Sequence, residues 1–331
     1  MVFNYRQNEE ILSEIKKASN ILVSTHKNPD YDSIASAMAL KYVLGKMGKK
    51  VTVVSCQKIN SHFDFIKNAN TIDFIDFKNF TDFRLYDLFI VPDTASVDRV
   101  TGSKDIGLPD NLKTIIIDHH KTNIFSNGLR LLEEKASATC EMLYQIFVDW
   151  GINIDETLAT LLMTGIMGDT VFLRYGENNK KTFGIVADLV EKGADKDLIQ
   201  QNFYEKYDFN YVKLLGEFLN TIKLERGGGR DFVWSAIPFE VYEKYEKPEG
   251  VREMAADLFF RGIKDSDFGV AILESKKDVL NMSFRSKKGT DVSKIAKLFG
   301  GGGHIQAAGA TVYGEFSKTV KNIIKNIVTA A

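Results

Sequence analysis

The sequence predicts an α/β protein of two domains, of which the first has a mostly parallel sheet flanked by helices. Short apolar runs rich in β-branched residues alternate with longer amphipathic stretches along the first half of the chain. Apolar strands that alternate with helices are typical of a parallel sheet buried on both faces. The chain has 331 residues, a length that suggests about two domains.

The first half contains the alternating elements. A helix is predicted over 8–18, and a strand over 21–25 precedes a helix over 32–47, for which Asp32 and Ser33 are candidate N-caps. Further strands are predicted over 51–55, 88–91 and 114–117, and further helices over 137–150 and 155–167. Parallel sheets bind ligands beyond the carboxyl ends of their strands, so a site is expected there.

The second half predicts a helical linker and a smaller α/β domain. Residues 196–228 are polar with a helical pattern, and Gly227-Gly228-Gly229 predicts a turn after them. A strand over 232–237, a helix over 251–261, a hairpin of 268–273 with 279–284, and a helix over 291–299 are expected next. The predicted domains are therefore 1–195 and 229–331, joined by the linker.

Composition excludes several classes of protein. Lys and Arg number 43 and Asp and Glu 44, and this near-zero net charge argues against binding long duplex nucleic acid through bulk charge. The two cysteines, Cys56 and Cys140, are far apart, which argues against a disulfide scaffold and fits a cytoplasmic location. No stretch of about 18 apolar residues occurs, so no membrane span and no membrane partner are expected.

Histidine and aspartate follow three of the predicted strands. His26-Lys-Asn-Pro-Asp30-Tyr-Asp32 follows the first, Asp93 another and Asp118-His119-His120 a third, while Asp169 ends an apolar helical stretch. A single aspartate after a strand is usually a turn or N-cap residue. Three strand ends of this kind, two of them with histidine, favour a common site.

The residue types favour a pair of divalent cations. Imidazole and carboxylate without thiolate suit Mn²⁺, Fe²⁺, Co²⁺ or Zn²⁺, and Mg²⁺ less well. The spacing lets His26 and Asp30 bind one ion while Asp32 points to another. Two such ions activate water and neutralise phosphate, which is the usual arrangement for phosphoester hydrolysis. Four aspartates would balance two divalent ions, so an anionic substrate needs further donors, for which His120, Arg285 and His304 are candidates.

These motifs resemble those of the DHH phosphoesterase superfamily. Asp118-His119-His120 and the loop from His26 to Asp32 resemble its DHH domain, and Ser283-Phe284-Arg285-Ser286 with the GGGGHIQAAG run from 300 to 309 resembles the DHHA1 domain. Their order is most similar to the bacterial nano-RNase and pAp phosphatase (bifunctional oligoribonuclease) group. The resemblance covers about residues 15–315. It implies a DHH domain, a helical linker and a DHHA1 domain, with the active site in the cleft between the domains.

The resemblance also implies a role for each motif residue. His26, Asp30 and Asp93 would hold one Mn²⁺, and a second would be held by Asp32, Asp93, His119 and Asp169, with Mg²⁺, Co²⁺, Fe²⁺ or Zn²⁺ as alternatives. The implied catalytic residues are Asp93, Asp118, which would orient a histidine, and His120, which would contact the scissile phosphate or protonate the leaving oxygen. The implied substrate-binding residues are Arg285, Gly302, Gly303, His304 and Arg99.

Tyr31 departs from the family pattern, because many members carry glycine between the two aspartates of the first loop. Tyrosine adopts a left-handed conformation poorly. Either the loop differs here, or Tyr31 stacks on a base of the substrate. His62 has no companion motif and is expected to be a surface residue.

The implied function is Mn²⁺-dependent hydrolysis of small nucleotides by an enzyme of the oligoribonuclease or 3′(2′),5′-bisphosphate nucleotidase type. Candidate substrates are short oligoribonucleotides, 3′-phosphoadenosine 5′-phosphate (pAp) and linear dinucleotides such as pApA and pGpG. The alternatives are a RecJ-like single-strand exonuclease, a type II pyrophosphatase and a non-catalytic nucleotide sensor. The lack of a basic excess weighs against the exonuclease, and the GGGGH motif weighs against the pyrophosphatase. The oligomeric state stays open, a homodimer being one option.

Overall fold

The structure is a computed structural model that describes residues 5–109, 111–120, 123–125, 128–174, 180–205, 207–226, 229–287 and 289–330. It divides into two compact units, Met1–Glu205 and Lys206–Ala331. Gly227 and Gly228 of the predicted turn lie outside the described residues. The division falls inside the predicted linker, so the exact domain boundaries stay a prediction.

The first unit alternates strands and helices. Its strands are β1 (Asn20–Ser24), β2 (Lys50–Ser55), β3 (Asp73–Phe74), β4 (Leu88–Pro92), β5 (Thr114–Asp118) and β6 (Leu129–Leu132). Its helices are α1 (Asn8–Lys17), α2 (Tyr31–Lys46), α3 (Val97–Thr101), α4 (Thr139–Asp149), α5 (Glu156–Asp169), α6 (Lys180–Glu191) and α7 (Lys196–Tyr204). The predicted α/β class is confirmed.

The sheet of the first unit is parallel throughout, in the order β3-β2-β1-β4-β5-β6. The strand order reverses between β1 and β4, where Val23 pairs with Val53 of β2 on one side and with Ile90 of β4 on the other. In doubly wound sheets, ligands bind beyond the strands at such a reversal. The residues that follow β1 and β4 therefore lie side by side.

Both faces of this sheet are buried, as the apolar strands predict. Ile21 and Val23 face the core formed with α2, α4 and α5, whereas Leu22 between them packs into a second cluster with Phe89 and Ile116. This alternation follows from the two-residue period of a strand, which sends neighbouring side chains to opposite faces. The buried core gives the strand ends a rigid support.

The second unit contains a six-stranded mixed sheet in the order β11-β12-β10-β9-β8-β7. Its strands are β7 (Lys223–Glu225), β8 (Phe232–Ile237), β9 (Phe268–Lys276), β10 (Val279–Ser286), β11 (Gly302–His304) and β12 (Ala307–Tyr313). Its helices are α8 (Phe209–Asn220), α9 (Phe239–Lys244), α10 (Val251–Met254), α11 (Val292–Lys297) and α12 (Phe316–Ala330). The predicted hairpin is the antiparallel pair β9 and β10. Among the described strands of this second sheet, only β8 and β9 pair in parallel.

Several details differ from the sequence predictions. The N-cap of α2 is Asp30, whose side chain accepts from the Ser33 backbone N–H, so the N-cap candidates Asp32 and Ser33 were wrong. The predicted helix 251–261 is α10 followed by a π-helical turn at Ala255–Phe259. The sequence pattern predicted no strand at β3, β6, β11 or β12 and no helix at α12. Among the described residues, no helix is both long and apolar enough to cross a membrane.

Candidate functional site

The predicted ligands of the first unit come together at the carboxyl edge of its sheet. His26 follows β1, Asp93 follows β4, His119 follows β5, and Asp169 is the last residue of α5. Asp30 and Asp32 stand at the start of α2. Donor atoms of His26, Asp30 and Asp93 lie within 4.8 Å of one another, and so do those of Asp32, His119 and Asp169, and those of Asp93, His119 and His120.

Asp93 lies at the centre of this cluster, and its side chain is 1% exposed. Its Oδ2 is 3.6 Å from His26 Nε2, while its Oδ1 is 3.5 Å from His119 Nε2. The backbone of Asp93 is left-handed, with φ of 54°, and its N–H donates to the Ile117 carbonyl of β5. Such a conformation costs an aspartate about 1 kcal/mol or more and is concentrated at functional sites. It turns the carboxylate so that each oxygen faces a different histidine.

The first group of donors is formed by His26, Asp30 and Asp93. His26 Nε2 is 3.6 Å from Asp30 Oδ2 as well as from Asp93. The Nδ1 of His26 donates to the Lys27 carbonyl oxygen at 2.9 Å, which leaves Nε2 as the unprotonated nitrogen in the neutral ring. The guanidinium of Arg99 on α3 lies 3.1 Å from the same Nδ1, but it can only donate, so it makes no hydrogen bond to a nitrogen that already donates to Lys27. Arg99 is therefore placed beside the cluster, and its predicted contact with substrate stays a prediction.

The second group contains His119, Asp169 and Asp32. His119 Nε2 is 3.4 Å from Asp169 Oδ2, and its Nδ1 is 3.2 Å from the Ala136 carbonyl oxygen. Asp32 is buried, and both of its oxygens accept backbone N–H groups from the start of α4. Each histidine thus has one nitrogen held by a backbone carbonyl and the other aimed at carboxylates, which is how metal-binding histidines are usually oriented.

The spacing of the donors fits a metal centre. Two ligands that bind one ion at about 2.1 Å lie about 3.0–3.5 Å apart. The nitrogen-to-oxygen distances here run from 3.4 to 3.6 Å, longer than ordinary hydrogen bonds and close to that range. The residues present therefore fit divalent cations coordinated by nitrogen and oxygen.

The pKa shifts of the cluster show that negative charge is in excess among its side chains. Burial lowers the pKa of His26, but the carboxylates of Asp30 and Asp93 outweigh burial and raise it to about 10. Burial, with the charges of Asp93 and Asp30, raises the pKa of Asp169 to about 7, although His119 opposes it. Burial also raises the pKa of Asp32. Without cations, protons neutralise this cluster.

This excess charge predicts how the stability of the chelated protein depends on pH. His26 has a pKa of about 10 in the folded chain against 6.5 ordinarily, and Asp169 about 7 against 3.8. The folded state therefore binds more protons, and stability falls as pH rises, from about 4 to 7 for Asp169 and from about 6.5 to 10 for His26. We expect the Tm in EDTA to fall by roughly 3–6 °C between about pH 6 and pH 9, measured by differential scanning fluorimetry.

Two comparisons control this experiment. Excess Mn²⁺ should raise the Tm and remove the decline, because cation binding displaces the protons and strengthens with pH. His26→Gln should flatten the decline in EDTA, whereas His62→Gln, at an exposed position, should keep it. A Tm in EDTA that is constant or rises with pH would contradict the charge assignment.

His120 faces the same cluster but is oriented by a different partner. Its Nδ1 donates to Asp118 Oδ1 at 2.7 Å, and it lies 3.8 Å from Asp93 Oδ1. The other oxygen of Asp118 accepts from Asn123 Nδ2 at 2.7 Å. Burial lowers the pKa of His120, but Asp118 and Asp93 outweigh burial and raise it. The arrangement leaves Nε2 of His120 for another contact.

Three predicted site residues of the second unit, Arg285, Gly302 and His304, share one face of its sheet, whereas Gly303 belongs to the opposite face. His304 pairs with Ala307, and Ala307 pairs with Arg285, so His304 and Arg285 flank a small residue in one row across three strands. Gly302 and Gly309 occupy the next row on the same face. The guanidinium of Arg285 is held by Asp257, with Nε 2.6 Å from Oδ1. An anion placed over the small residues would meet the guanidinium of Arg285 on one side and the imidazole of His304 on the other.

The positions of the GGGGH run are glycine for different structural reasons. A Cβ at Gly301 would lie 2.1 Å from the Gly309 carbonyl oxygen, and one at Gly303 would lie 2.5 Å from that of Ala307. Both are therefore required by the close packing of β11 on β12. A Cβ at Gly302 would meet no atom within 4 Å. A Cβ at Gly300 would likewise meet no atom, but Gly300 has a left-handed φ of 72°, so Gly302 is the open position that lies within β11.

Tyr31 is helical and does not adopt a left-handed conformation. It is the first residue of α2, and its ring stacks on Phe203 at 3.9 Å between centroids and meets Phe63 edge-on. A Cβ at Gly168, next to Asp169, would lie 2.5 Å from the Tyr31 Cβ. Tyr31 therefore packs α2 against α5 and α7 beside the metal ligands. His62 is exposed, as expected.

Sequence reasoning missed Thr139 and Asn123, which both contact predicted site residues. Thr139 donates to Asp32 and Asp93, and Asn123 donates to Asp118 and to the Thr94 carbonyl oxygen. Thr139 begins an apolar helix after a Ser-Ala pair, a signal of a helix N-terminus but of no particular ligand. Asn123 follows the DHH motif by three positions and carries no signal of its own.

Two family models match the chain in the expected order. The model described as the DHH family, N-terminal domain, matches residues 20–166, which contain five of the six predicted metal ligands. The DHHA1 domain model matches residues 236–329, which contain Arg285 and the GGGGH run. Members of the DHH family depend on metal ions, in agreement with the donor cluster.

Similar proteins cover nearly the whole chain. The bifunctional oligoribonuclease and PAP phosphatase NrnA of Thermus thermophilus is 26% identical, over 94% of this chain and 90% of the relative. The protein of that name from Bacillus subtilis is 24% identical, over 92% of this chain and 93% of the relative. A crystal structure of an exopolyphosphatase-related protein from Bacteroides fragilis has the same fold, with a TM-score of 0.87 at 23% identity over 97% of this chain and 95% of that one. With both domain models matched in order, the chain is a member of the DHH/DHHA1 phosphoesterase superfamily and a hydrolase.

Proposed function

We propose that this hydrolase cleaves phosphoester bonds in short phosphorylated nucleotides and uses two divalent cations, with Mn²⁺ as the preferred ion. Its substrates would be oligoribonucleotides of about two to five residues, pAp, and linear dinucleotides such as pApA and pGpG. The observation that carries the proposal is the Asp93 carboxylate, whose oxygens face two different histidines. The names of the curated relatives support the substrate class.

The residues that would hold the cations follow from the two groups of donors. His26, Asp30 and Asp93 would hold one, and Asp32, Asp93, His119 and Asp169 the other. When bound, such cations lower the pKa of water and neutralise the charge of a phosphate. The mixture of imidazole and carboxylate favours Mn²⁺ over Mg²⁺, with Co²⁺, Fe²⁺ and Zn²⁺ as alternatives.

His120 is proposed as the group that contacts the scissile phosphate and protonates the leaving oxygen. Asp118 accepts from its Nδ1 and so directs Nε2 outwards. The raised pKa keeps more of the ring protonated near neutral pH, and a protonated Nε2 can give its proton to an alkoxide leaving group. Asn123 donates to Asp118 and to the Thr94 carbonyl oxygen, so Asp118 and this histidine are oriented before substrate binds.

The second unit is proposed to bind a further phosphate of the substrate. Arg285 and His304 would supply charge and donors, and the open backbone at Gly302, with Gly303 beside it, would let a phosphate approach closely. Arg285 is already oriented by Asp257. A near-neutral chain with such local donors suits a short substrate better than a polymer.

A substrate screen tests the proposal. Hydrolysis by the full chain is measured with Mn²⁺ and with EDTA on oligoribonucleotides of about 2 to 7 residues, pAp, a DNA strand of about 24 residues and pyrophosphate. We expect pAp and the shortest oligomers to be cleaved about tenfold or more faster than the others, with no activity in EDTA. Preference for the long strand would support a RecJ-like exonuclease, and preference for pyrophosphate a pyrophosphatase. Binding of pAp without phosphate release would support a sensor.

Gly302→Ala tests the phosphate-binding face. The added methyl group meets no protein atom within 4 Å, so the fold should tolerate it, but it would stand where the phosphate approaches. We expect the KM for pAp to rise about tenfold with kcat little changed, since the loss affects binding more than chemistry. Steady-state kinetics and the Tm are measured together.

Two further glycine variants make this result interpretable. Gly216→Ala, in α8 and equally free of contacts, should leave both KM and Tm near the wild-type values. Gly301→Ala should lower the Tm clearly, because its methyl group would overlap β12. A wild-type KM for Gly302→Ala would remove this backbone from the binding face.

A further inference from the structure

Thr139, at the first position of α4, makes hydrogen bonds that converge on the metal centre. Its backbone N–H donates to Asp32 Oδ2 at 2.6 Å, and the N–H of Cys140 donates to Asp32 Oδ1 at 3.0 Å. Its hydroxyl donates to Asp93 Oδ1 at 3.2 Å. One residue therefore contacts both of the buried carboxylates in the cluster.

The hydroxyl bonds to one particular side of Asp93. Oδ1, which accepts from Thr139, is the oxygen that faces His119, while Oδ2 faces His26. Asp32 also belongs to the group that contains His119. Thr139 therefore contacts the donors that lie with His119 and Asp169, and not those that lie with His26.

The segment that carries Thr139, residues 136–141, is held in place by buried polar contacts. Glu141 Oε2 accepts from the Ser137 backbone N–H at 3.2 Å and from Thr182 Oγ1 at 2.9 Å, and Glu141 Oε1 lies 3.4 Å from Lys181 Nζ. Glu141 and Thr182 are fully buried. Because the same segment supplies the Ala136 carbonyl to His119, holding it in place positions Asp32, Asp93 and His119 at once.

We propose that Thr139 is a positioning residue that sets Asp32 and Asp93 Oδ1 for the second cation. This inference rests on the two-cation function proposed above. Partners that orient metal ligands commonly change metal affinity by about 10- to 100-fold when removed. A threonine that only satisfied buried carboxylates would instead affect stability and leave the relative affinity of the two subsites unchanged.

Thr139→Val isolates the hydroxyl, because valine has the same shape and keeps both backbone N–H donors. Binding of Mn²⁺ alone to the metal-free full chain is measured by isothermal titration calorimetry, with the Tm in EDTA as a second readout. Asp30→Asn and Asp169→Asn identify which binding event belongs to which subsite, since each removes a ligand from one group only. No activity measurement is needed.

We expect Thr139→Val to weaken the second subsite about tenfold or more while the first changes by less than about twofold. Thr139→Ser should restore the affinity to within about threefold of wild type. Thr164→Val is the matched control, because it is the same substitution at a buried threonine whose hydroxyl donates within α5 to the Thr160 carbonyl. If valine prevents folding, Thr139→Ala removes the same hydroxyl with less bulk and has the same expected result.

Equal weakening of both subsites, or none, would overturn the role of Thr139. A wild-type chain that binds a single Mn²⁺ would overturn the two-cation function and this inference with it. The two failures are distinguishable, because the second is seen in the wild type before any variant is tested.

Discussion

Asp93→Asn should lower hydrolysis by about a thousandfold or more, the equivalent of about 4 kcal/mol in the barrier. Asp93 is the described residue whose carboxylate faces both His26 and His119. Asparagine keeps the size of the side chain but replaces one oxygen by an amide nitrogen, which cannot bind a cation, and it removes the charge shared by both subsites. Binding of Mn²⁺ should therefore weaken at both subsites, measured by calorimetry beside the rate.

The fold should survive this substitution. The substituted asparagine would need the left-handed conformation of the wild-type residue, and asparagine adopts it as readily as aspartate does. Asp278→Asn is the matched control, because Asp278 is also left-handed, with φ of 61°, but lies exposed in the turn between β9 and β10. That variant should keep wild-type activity. If Asp93→Asn retains a tenth of the wild-type rate, Asp93 does not bridge the cations.

The sequence predicted which strand ends lie together, because a single rule of topology governs their placement. Parallel strands present their carboxyl ends at one edge, so His26, Asp93 and His119 could be placed together from the strand pattern alone. The apolar runs that predicted β1, β4 and β5 are short, and their β-branched residues are what favoured strands over helices. The structure adds the reversal of strand order between β1 and β4, which places the loops that follow these two strands side by side.

The sequence could not predict contacts that depend on packing between distant elements. Asp32 and Thr139 are 107 positions apart, and their hydrogen bond exists because α2 and α4 pack on the same side of the sheet. The left-handed backbone of Asp93 is likewise imposed by its surroundings, since aspartate has no general preference for it. Asp30 was predicted as a ligand, but its second role as N-cap was not.

The glycine run could be predicted only in part. Four consecutive glycines predicted an anion-binding backbone, and two of them, Gly300 and Gly302, have the open surroundings that this role needs. Gly301 and Gly303 are glycine because β12 passes too close for a side chain. From the sequence these two reasons look the same, because both remove the Cβ atom.

Asp118→Asn should lower kcat by about a hundredfold or more while Mn²⁺ binding changes by less than about twofold. Asp118 accepts on both sides, from His120 Nδ1 and from Asn123 Nδ2. An amide has one accepting oxygen. The substituted side chain would therefore accept from one neighbour and turn its NH2 group towards the donor of the other. Either His120 loses its orientation or its Nδ1 must become an acceptor, which places the hydrogen on the wrong nitrogen.

The pH profile distinguishes this explanation from a general loss of stability. Asp118 raises the pKa of His120, so the protonated ring persists to higher pH in the wild type. Without that carboxylate the pKa falls, and the alkaline decline of kcat should move to lower pH. His120→Gln should lose a similar factor and lack the decline that His120 causes. The double variant should be no slower than the slower single one, because the two residues act as one unit. An unchanged pH profile in Asp118→Asn would mean that Asp118 supports the fold and does not tune the proton donor.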